Sequence, residues 1–130
     1  MYILDTNTLI YFFKGIGDVA GILLSKSPKD ISIPSIVLYE LKVGIAKSTK
    51  PNKRRKQLES LISRISISSF GAKEAEVAAM IRANLESKGT PIGPYDTLIA
   101  STALSTNATL VTHNTKEFER VNGLNIEDWY

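Results

Sequence analysis

Short apolar runs alternate with segments of helical pattern along the chain, and this alternation limits the fold more than any other feature. The apolar runs predict strands at 1–4, 31–33, 65–70, 109–112 and 124–126. The spacing of apolar residues predicts helices at 8–14, 19–25, 35–47, from 51 onward, 73–88 and 95–105. Strands separated by helices pair in parallel, because each helix returns the chain to the starting end of the sheet. We therefore predict an α/β fold with a mostly parallel sheet between helices.

Length and composition are those of one ordinary globular domain covering 1–130. Of the 130 residues, 43% are hydrophobic and 22% charged, which is typical of folded proteins. The absence of cysteine excludes disulfides, thiolate catalysis and zinc–sulfur sites, and fits a reducing compartment. No apolar run approaches the roughly 20 residues that a membrane span needs, and the first residues lack the features of a signal peptide. A cytoplasmic protein is expected, with no membrane partner.

Three acidic residues occupy positions that structure alone does not readily explain. Asp5 follows the first apolar strand, at the end where open α/β sheets bind ligands. Glu40 falls between Ile36 and Val37 around its helix, on a largely apolar side. Asp96 begins a helix and points towards its apolar face. Each acid also has a structural interpretation: Asp5 and Asp96 as helix N-caps, and Glu40 in a salt bridge.

The three acids together favour a metal site over three separate structural roles. Brought close to one another, their carboxylates would repel strongly unless a cation lay between them. Hard divalent ions such as Mg²⁺ and Mn²⁺ prefer this kind of all-oxygen ligand set.

The charge of the chain is unevenly distributed. The net charge is only +3, but the segment 47–64 contains seven basic residues and one acidic residue. A concentrated basic patch on an otherwise acidic protein suggests a polyanionic partner, although a short charged run is also typical of a solvated helix. The centre of the patch consists of Lys53, Arg54, Arg55 and Lys56.

The acidic segments and the end of the chain resemble a known family. The segments Leu4–Asn7, Ser35–Leu41 and Tyr95–Ala100 resemble the three acidic motifs of PIN-domain nucleases. The end of the chain is similar to the closing segment of the VapC-like members of that family. This similarity rests on Leu110–Asn114, Phe118, Val121, Gly123, Leu124, Asp128 and Trp129. The resemblance spans essentially the whole chain.

The resemblance implies a three-layer α/β/α sandwich and a metal-dependent endoribonuclease, the toxin of a type II toxin–antitoxin pair. Asp5, Glu40 and Asp96 would be the catalytic acids, and Asp5 and Asp96 would bind Mg²⁺, with Mn²⁺ as a substitute. Many members of the family carry a fourth acid where this chain has Asn114, which supplies no charge. Glu117, three residues later, would be the residue to compensate for the missing charge, although a residue of this kind is more often solvated.

The resemblance also implies supporting residues and partners. Thr6, Asn7 and Thr112 would orient carboxylates and water. The residues of the basic patch would contact RNA phosphates. The partners would be an RNA substrate, a VapB-type antitoxin and a second copy of the chain in a homodimer. The unbroken apolar run 9–13 exceeds what one core-facing stripe needs, and its excess predicts an exposed interaction surface. The alternative is that all five residues are buried within one protomer.

Three other functions agree less well with the residues. A haloacid-dehalogenase-like phosphatase needs a second Asp where this chain has Asn7, and a receiver domain needs an Asp between Asp30 and Asp96, where none occurs. The third alternative is a degenerate PIN-like module that binds RNA or protein without catalysis. Asn114 favours that alternative, and the three intact acids argue against it.

Overall fold

The computed structural model describes residues 1–130. Strands and helices alternate as the sequence predicts. In chain order the elements are β1 (Tyr2–Leu4), α1 (Thr6–Lys14), α2 (Val19–Ser25), a 3₁₀ turn (Pro28–Asp30), β2 (Ile31–Pro34), α3 (Ser35–Ala46), α4 (Pro51–Ile62), β3 (Ser66–Ser68), α5 (Ala72–Ser87), α6 (Pro94–Ser105), β4 (Thr109–Val111), α7 (Thr115–Phe118) and β5 (Asn125–Glu127).

The five strands form one sheet in the order β3-β2-β1-β4-β5. Every neighbouring pair is parallel, with Tyr2 opposite both Ile31 and Thr109. The chain builds outward from β1 to β2 and β3 on one side, and then crosses over to place β4 and β5 on the other. The order therefore reverses between β1 and β4, and the crevice beyond the carboxyl ends of these two strands is where such sheets bind ligands.

The central strands are covered on both faces. Ile3 and Leu4 point to opposite faces of β1, and both are at most 1% exposed. Leu110 and Val111 of β4 are buried to the same degree. A parallel sheet buried on both faces requires helices on each side, which confirms the predicted α/β sandwich.

The residues on either side of α1 explain where this helix begins and ends. The Asp5 carboxylate accepts a hydrogen bond from the Thr8 backbone N–H at 2.9 Å, so Asp5 is the N-cap of α1. Gly15 ends the helix with φ 67°, in the left-handed region that glycine adopts without strain. Because Asp5 is the cap, α1 begins at Thr6 rather than at the predicted residue 8.

The structure differs from the sequence predictions mainly in short elements. β3 and β5 contain three residues each, and β5 begins one residue later than predicted. The four-residue helix α7 was not predicted, because one turn is too short to show a helical period. No single helix is long and apolar enough to cross a membrane; α1 and α2 together would suffice by length and composition, but a bend of 100° separates them.

Candidate active site

Asp5 is buried where β1 ends, beside the end of β4. The residue is 5% exposed, and its backbone N–H donates to the Val111 carbonyl at 3.1 Å. Burial raises the pKa of Asp5, while hydrogen bonds from Thr112 and Thr8 act in the opposite direction by favouring the ionised form. The capping interpretation of Asp5 is therefore correct, and Asp5 is in addition buried beside the end of β4.

Asp96 is not a helix cap. Gly93 is the N-cap of α6 and Pro94 its first residue, which places Asp96 in the first turn. Its carboxylate is partly buried against Gly93, where a Cβ atom would lie 3.5 Å from Oδ2. Burial raises the pKa of Asp96 to about 6, and the negative charges of Glu117, Asp5 and Glu40 add to the effect. Glu117, Asp5 and Glu40, from three other parts of the chain, therefore each lie within electrostatic range of Asp96.

Glu40 has no cationic partner. The Thr6 hydroxyl donates to Glu40 Oε1 at 2.7 Å, linking the first turn of α1 to α3. The only ion pairs in the structure are Arg82–Glu86 and His113–Asp128, so the salt bridge considered for Glu40 is not formed. The side chain remains half-buried, with a hydroxyl as its only hydrogen-bond partner.

The fourth carboxylate of this edge comes from Glu117. The Asn114 side-chain amide donates a hydrogen bond to the Glu117 carboxylate, and Glu117 in turn raises the pKa of Asp96. Asn114 thus lies at the edge of the site, while Glu117 brings the negative charge that Asn114 lacks. The sequence contained only a weak signal for Glu117, namely its position one turn after Asn114.

The supporting residues predicted from the sequence differ in their contacts. Thr6 holds Glu40, and the Thr112 hydroxyl accepts from the Asn114 backbone N–H at 3.0 Å while stabilising ionised Asp5. Asn7 is exposed and hydrogen-bonds to none of the carboxylates. His113 contacts the Asp128 carboxylate at 3.0 Å and stacks on Tyr130 with ring centroids 4.1 Å apart.

The prediction that the acids form one metal-sized cluster requires a correction. No three acidic or histidine side chains stand close enough to make a ready set of metal ligands. Glu40, Glu117 and Asp5 are each held by their own hydrogen bond, from Thr6, Asn114 and Thr8, and their like charges repel. The four acids nevertheless have the chemistry that a hard divalent cation requires, because they offer only oxygen ligands and none of them forms an ion pair with a Lys or Arg side chain.

The basic residues of α4 do not form a single patch. Arg54 lines a groove together with Lys14 and Glu40. Lys56 lines a different groove, beside Phe12 and Phe13. The exposed Lys53 and Arg55 line neither. Successive helical residues point about 100° apart, so four consecutive side chains cannot face one surface.

Comparison with known proteins agrees with the motifs and the topology. The family model for the PIN domain matches residues 2–124. The chain belongs to the PIN-domain family. The resemblance drawn from the acidic motifs is thereby confirmed. We call the group formed by Asp96 and its three neighbouring acids, Asp5, Glu40 and Glu117, the acidic edge from here on.

Relatives of this PIN domain include named ribonucleases. It is 39% identical to the tRNA(fMet)-specific endonuclease VapC of Salmonella typhimurium, over 98% of this chain and 97% of the relative. It is 41% identical to ribonuclease VapC2 of Rickettsia felis, over 99% and 98%. The crystal structure of VapBC2 from Rickettsia felis, bound to a DNA fragment from the promoter, matches with a TM-score of 0.92 and 40% identity. The match covers 99% of this chain and 98% of that one.

Proposed function

We propose that this PIN domain is a metal-dependent endoribonuclease and the toxin of a VapBC-type toxin–antitoxin pair. The observation that carries the proposal is the acidic edge, where Asp96 is partly buried within range of three other carboxylates and none of the four forms an ion pair, so that the pKa of Asp96 rises to about 6. Such a concentration of like charge is unfavourable unless a cation is bound there. The similarity to VapC ribonucleases supports RNA as the substrate.

Asp5 and Asp96 are the direct ligands of Mg²⁺ or Mn²⁺ in this proposal, and Glu40 and Glu117 act through water. When bound, the cation supplies an activated water and neutralises charge on the phosphodiester. Asp5 is fixed for this task by its capping hydrogen bond and by Thr112. At pH 7 Asp96 is mostly ionised, since its pKa of about 6 lies below that pH. A cation nearby would favour the ionised form further.

RNA approaches along the groove that joins the basic helix to the acidic edge. Lys14 and Arg54 line this groove together with Glu40. Cationic side chains there would contact phosphates and set the position of the strand without reading its bases. The alternative of a module that binds RNA or protein without catalysis is less well supported. It was suggested by the missing acid at Asn114, and Glu117 supplies a carboxylate close to that position.

A VapB-type antitoxin occupies a second, largely apolar groove. This groove has a volume of about 610 Å³ and is lined by Phe12, Phe13 and Leu23, together with Lys56 and Arg64. An antitoxin segment would match this surface if its apolar side chains packed in the groove and its acidic side chains paired with the lysine and arginine of the lining. Solved structures of VapBC complexes resemble this chain closely, which supports the pairing. We expect the toxin itself to be a homodimer, which light scattering of the purified chain would measure.

Cleavage assays with purified protein test the enzymatic part. We expect hydrolysis of RNA in Mg²⁺ or Mn²⁺, complete loss in excess EDTA, and recovery when the metal is restored. The tRNA named for the Salmonella relative, tRNA(fMet), is the first substrate to try. Cleavage that persists in EDTA would refute the metal mechanism, and absence of cleavage of any RNA under all metal conditions would favour the binding module.

A further inference from the structure

Two exposed tyrosines stand together beside the acidic edge. Tyr39 and Tyr95 are 52% and 45% exposed. Their ring centroids are 5.9 Å apart, with the planes inclined at 72°. They directly precede Glu40 and Asp96 in the sequence. An edge-to-face pair leaves ring surface open to solvent, so neither ring is fully used in the packing of the chain.

The tyrosine pair continues the surface on which RNA is expected to lie. The Tyr39 hydroxyl and, more weakly, the negative charge of Glu40 raise the pKa of Tyr95, which places Glu40 close to the tyrosine pair. Glu40 also lines the groove that contains Lys14 and Arg54. The basic groove, the acidic edge and the tyrosine pair therefore lie next to one another. Glu40 borders both the groove and the tyrosine pair.

We propose that Tyr39 and Tyr95 form a stacking platform for an unpaired RNA base next to the phosphate that is cleaved. This inference rests on the proposed function and adds a positioning role that favours single-stranded over duplex RNA. Aromatic rings bind bases of any identity through their faces, and proteins reach RNA bases mainly where these are unpaired. The two tyrosines would place the strand, while the carboxylates act on the phosphate.

A nucleotide suits this surface better than a protein segment does. An apolar helix or a second protomer that covered the tyrosines would also remove Glu40 and Asp96 from water, and neither acid has a basic partner in this chain. Burial of unpaired carboxylates is costly. A base can instead cover the rings while its flanking phosphate lies near the carboxylates and their cation.

Binding to a cleavage-inactive protein tests the platform. In an Asp5→Asn background, we would measure the Kd for an unstructured RNA oligonucleotide and for a duplex of the same sequence. Tyr39→Leu combined with Tyr95→Leu should weaken binding of the single strand by about 5- to 100-fold. The duplex should be affected much less. Tyr39→Phe with Tyr95→Phe should retain most of the affinity, because the ring faces remain.

Two controls separate stacking from other effects. Met80→Ala removes another exposed apolar side chain, on α5, and should leave the Kd unchanged. A 2-aminopurine base in the bound strand reports stacking directly, since its fluorescence should be quenched by the parent and the Phe variants and should recover with the Leu variants. Light scattering of each variant reports the oligomeric state.

Each outcome decides the proposal. Leu variants that bind the single strand as the parent does would overturn it, as would Phe variants that bind as weakly as the Leu variants. If the Leu variants dissociate a dimer while the Kd per protomer stays unchanged, the tyrosines form a protein interface instead and the platform is wrong. Failure of the proposed function looks different, because the native chain would then cleave no RNA whatever the tyrosine results.

Discussion

The two charged regions of this PIN domain are built in opposite ways. At the acidic edge, the carboxylate of the N-cap of α1 and those of α3 and α7 lie partly or fully buried within range of Asp96 on α6, and none forms an ion pair. On α4, Lys53 and Arg55 extend into solvent, where a charge needs no partner. The first arrangement opposes folding, whereas the second is nearly neutral. A charged side chain that is kept partly out of water is therefore a stronger sign of function than a charged side chain exposed to solvent.

Magnitudes support this distinction. Two carboxylates about 4 Å apart would repel by roughly 4 kcal/mol at an effective dielectric constant of about 20, and the repulsion is weaker at the wider spacing of the acidic edge. An exposed ion pair or charged side chain changes stability by about 0–1 kcal/mol. A chain that is only about 5–15 kcal/mol stable keeps such repulsion only where the charge has a use. The acidic edge should accordingly respond to substitution far more strongly than α4.

The largest effect is expected at the acidic edge itself. Asp96→Asn or Asp5→Asn should lower the cleavage rate by about 10²–10⁴-fold, the range for a group that acts directly on the reaction. The fold should survive, because Asn can replace Asp5 as the N-cap of α1 and each change relieves repulsion. Cleavage rates at saturating Mg²⁺, together with thermal unfolding, would measure both effects.

Asp30→Asn is the matched control for these variants. Asp30 is exposed in the 3₁₀ turn, and its removal should change neither rate nor stability. If Asp96→Asn cleaves as well as Asp30→Asn does, the acidic edge is no more functional than an exposed acid and the comparison between the two regions fails.

A smaller loss is expected at Glu117. Glu117→Gln keeps the shape of the side chain and removes its charge, so the cleavage rate should fall by about 10- to 100-fold, as is typical when a residue behind a metal ligand is changed. Glu119→Gln, two residues later and exposed, should have no effect. Equal rates for the two variants would mean that the fourth carboxylate is dispensable.

The fold and the first three acids could be predicted from local sequence. A buried parallel strand is recognisable from an apolar run such as Met1–Leu4, and Asp5 is conspicuous because it ends that run. Glu40 is conspicuous because its helical neighbours Ile36 and Val37 are apolar. In each case the sequence itself reveals an acid in a setting that disfavours charge.

Glu117 and the basic helix could not be predicted in the same way. Glu117 lies in a polar segment, and only its position beside Asp96 in the folded chain distinguishes it from a solvated residue. The charges of α4 were evident, but the direction of each side chain depends on how α4 packs against α3. That packing turns Arg54 towards the groove and leaves Arg55 exposed.

Two adjacent arginines of α4 test whether the direction of a side chain matters more than its charge. Arg54→Ala should weaken RNA binding severalfold and reduce the slope of log K against log salt concentration by about 0.7, the value for one phosphate contact of a single strand. Arg55→Ala removes the same charge from the adjacent position and should change neither quantity. Titrations at several salt concentrations would measure this. Equal effects of the two variants would mean that α4 acts as a diffuse positive field.

The smallest effect concerns stability of the metal-free protein as a function of pH. The pKa of Asp96 is raised from 3.8 to about 6 on folding, so between these values the folded state holds a proton that the unfolded state has lost. The stabilisation from this proton is complete below about pH 4 and is lost as pH rises through 6. A shift of this size corresponds to about 3 kcal/mol, and partial exposure of Asp96 reduces the effect to the order of 1 kcal/mol.

In EDTA, Asp96→Asn should therefore be more stable than the native chain at pH 7, and the difference should shrink towards zero near pH 4. Urea unfolding of both proteins from pH 4 to 8 would measure it, with Asp30→Asn showing no such trend. A difference that is constant across this range, or that grows as pH falls, would show that the charge of Asp96 is no less well solvated than the exposed charges elsewhere in the chain.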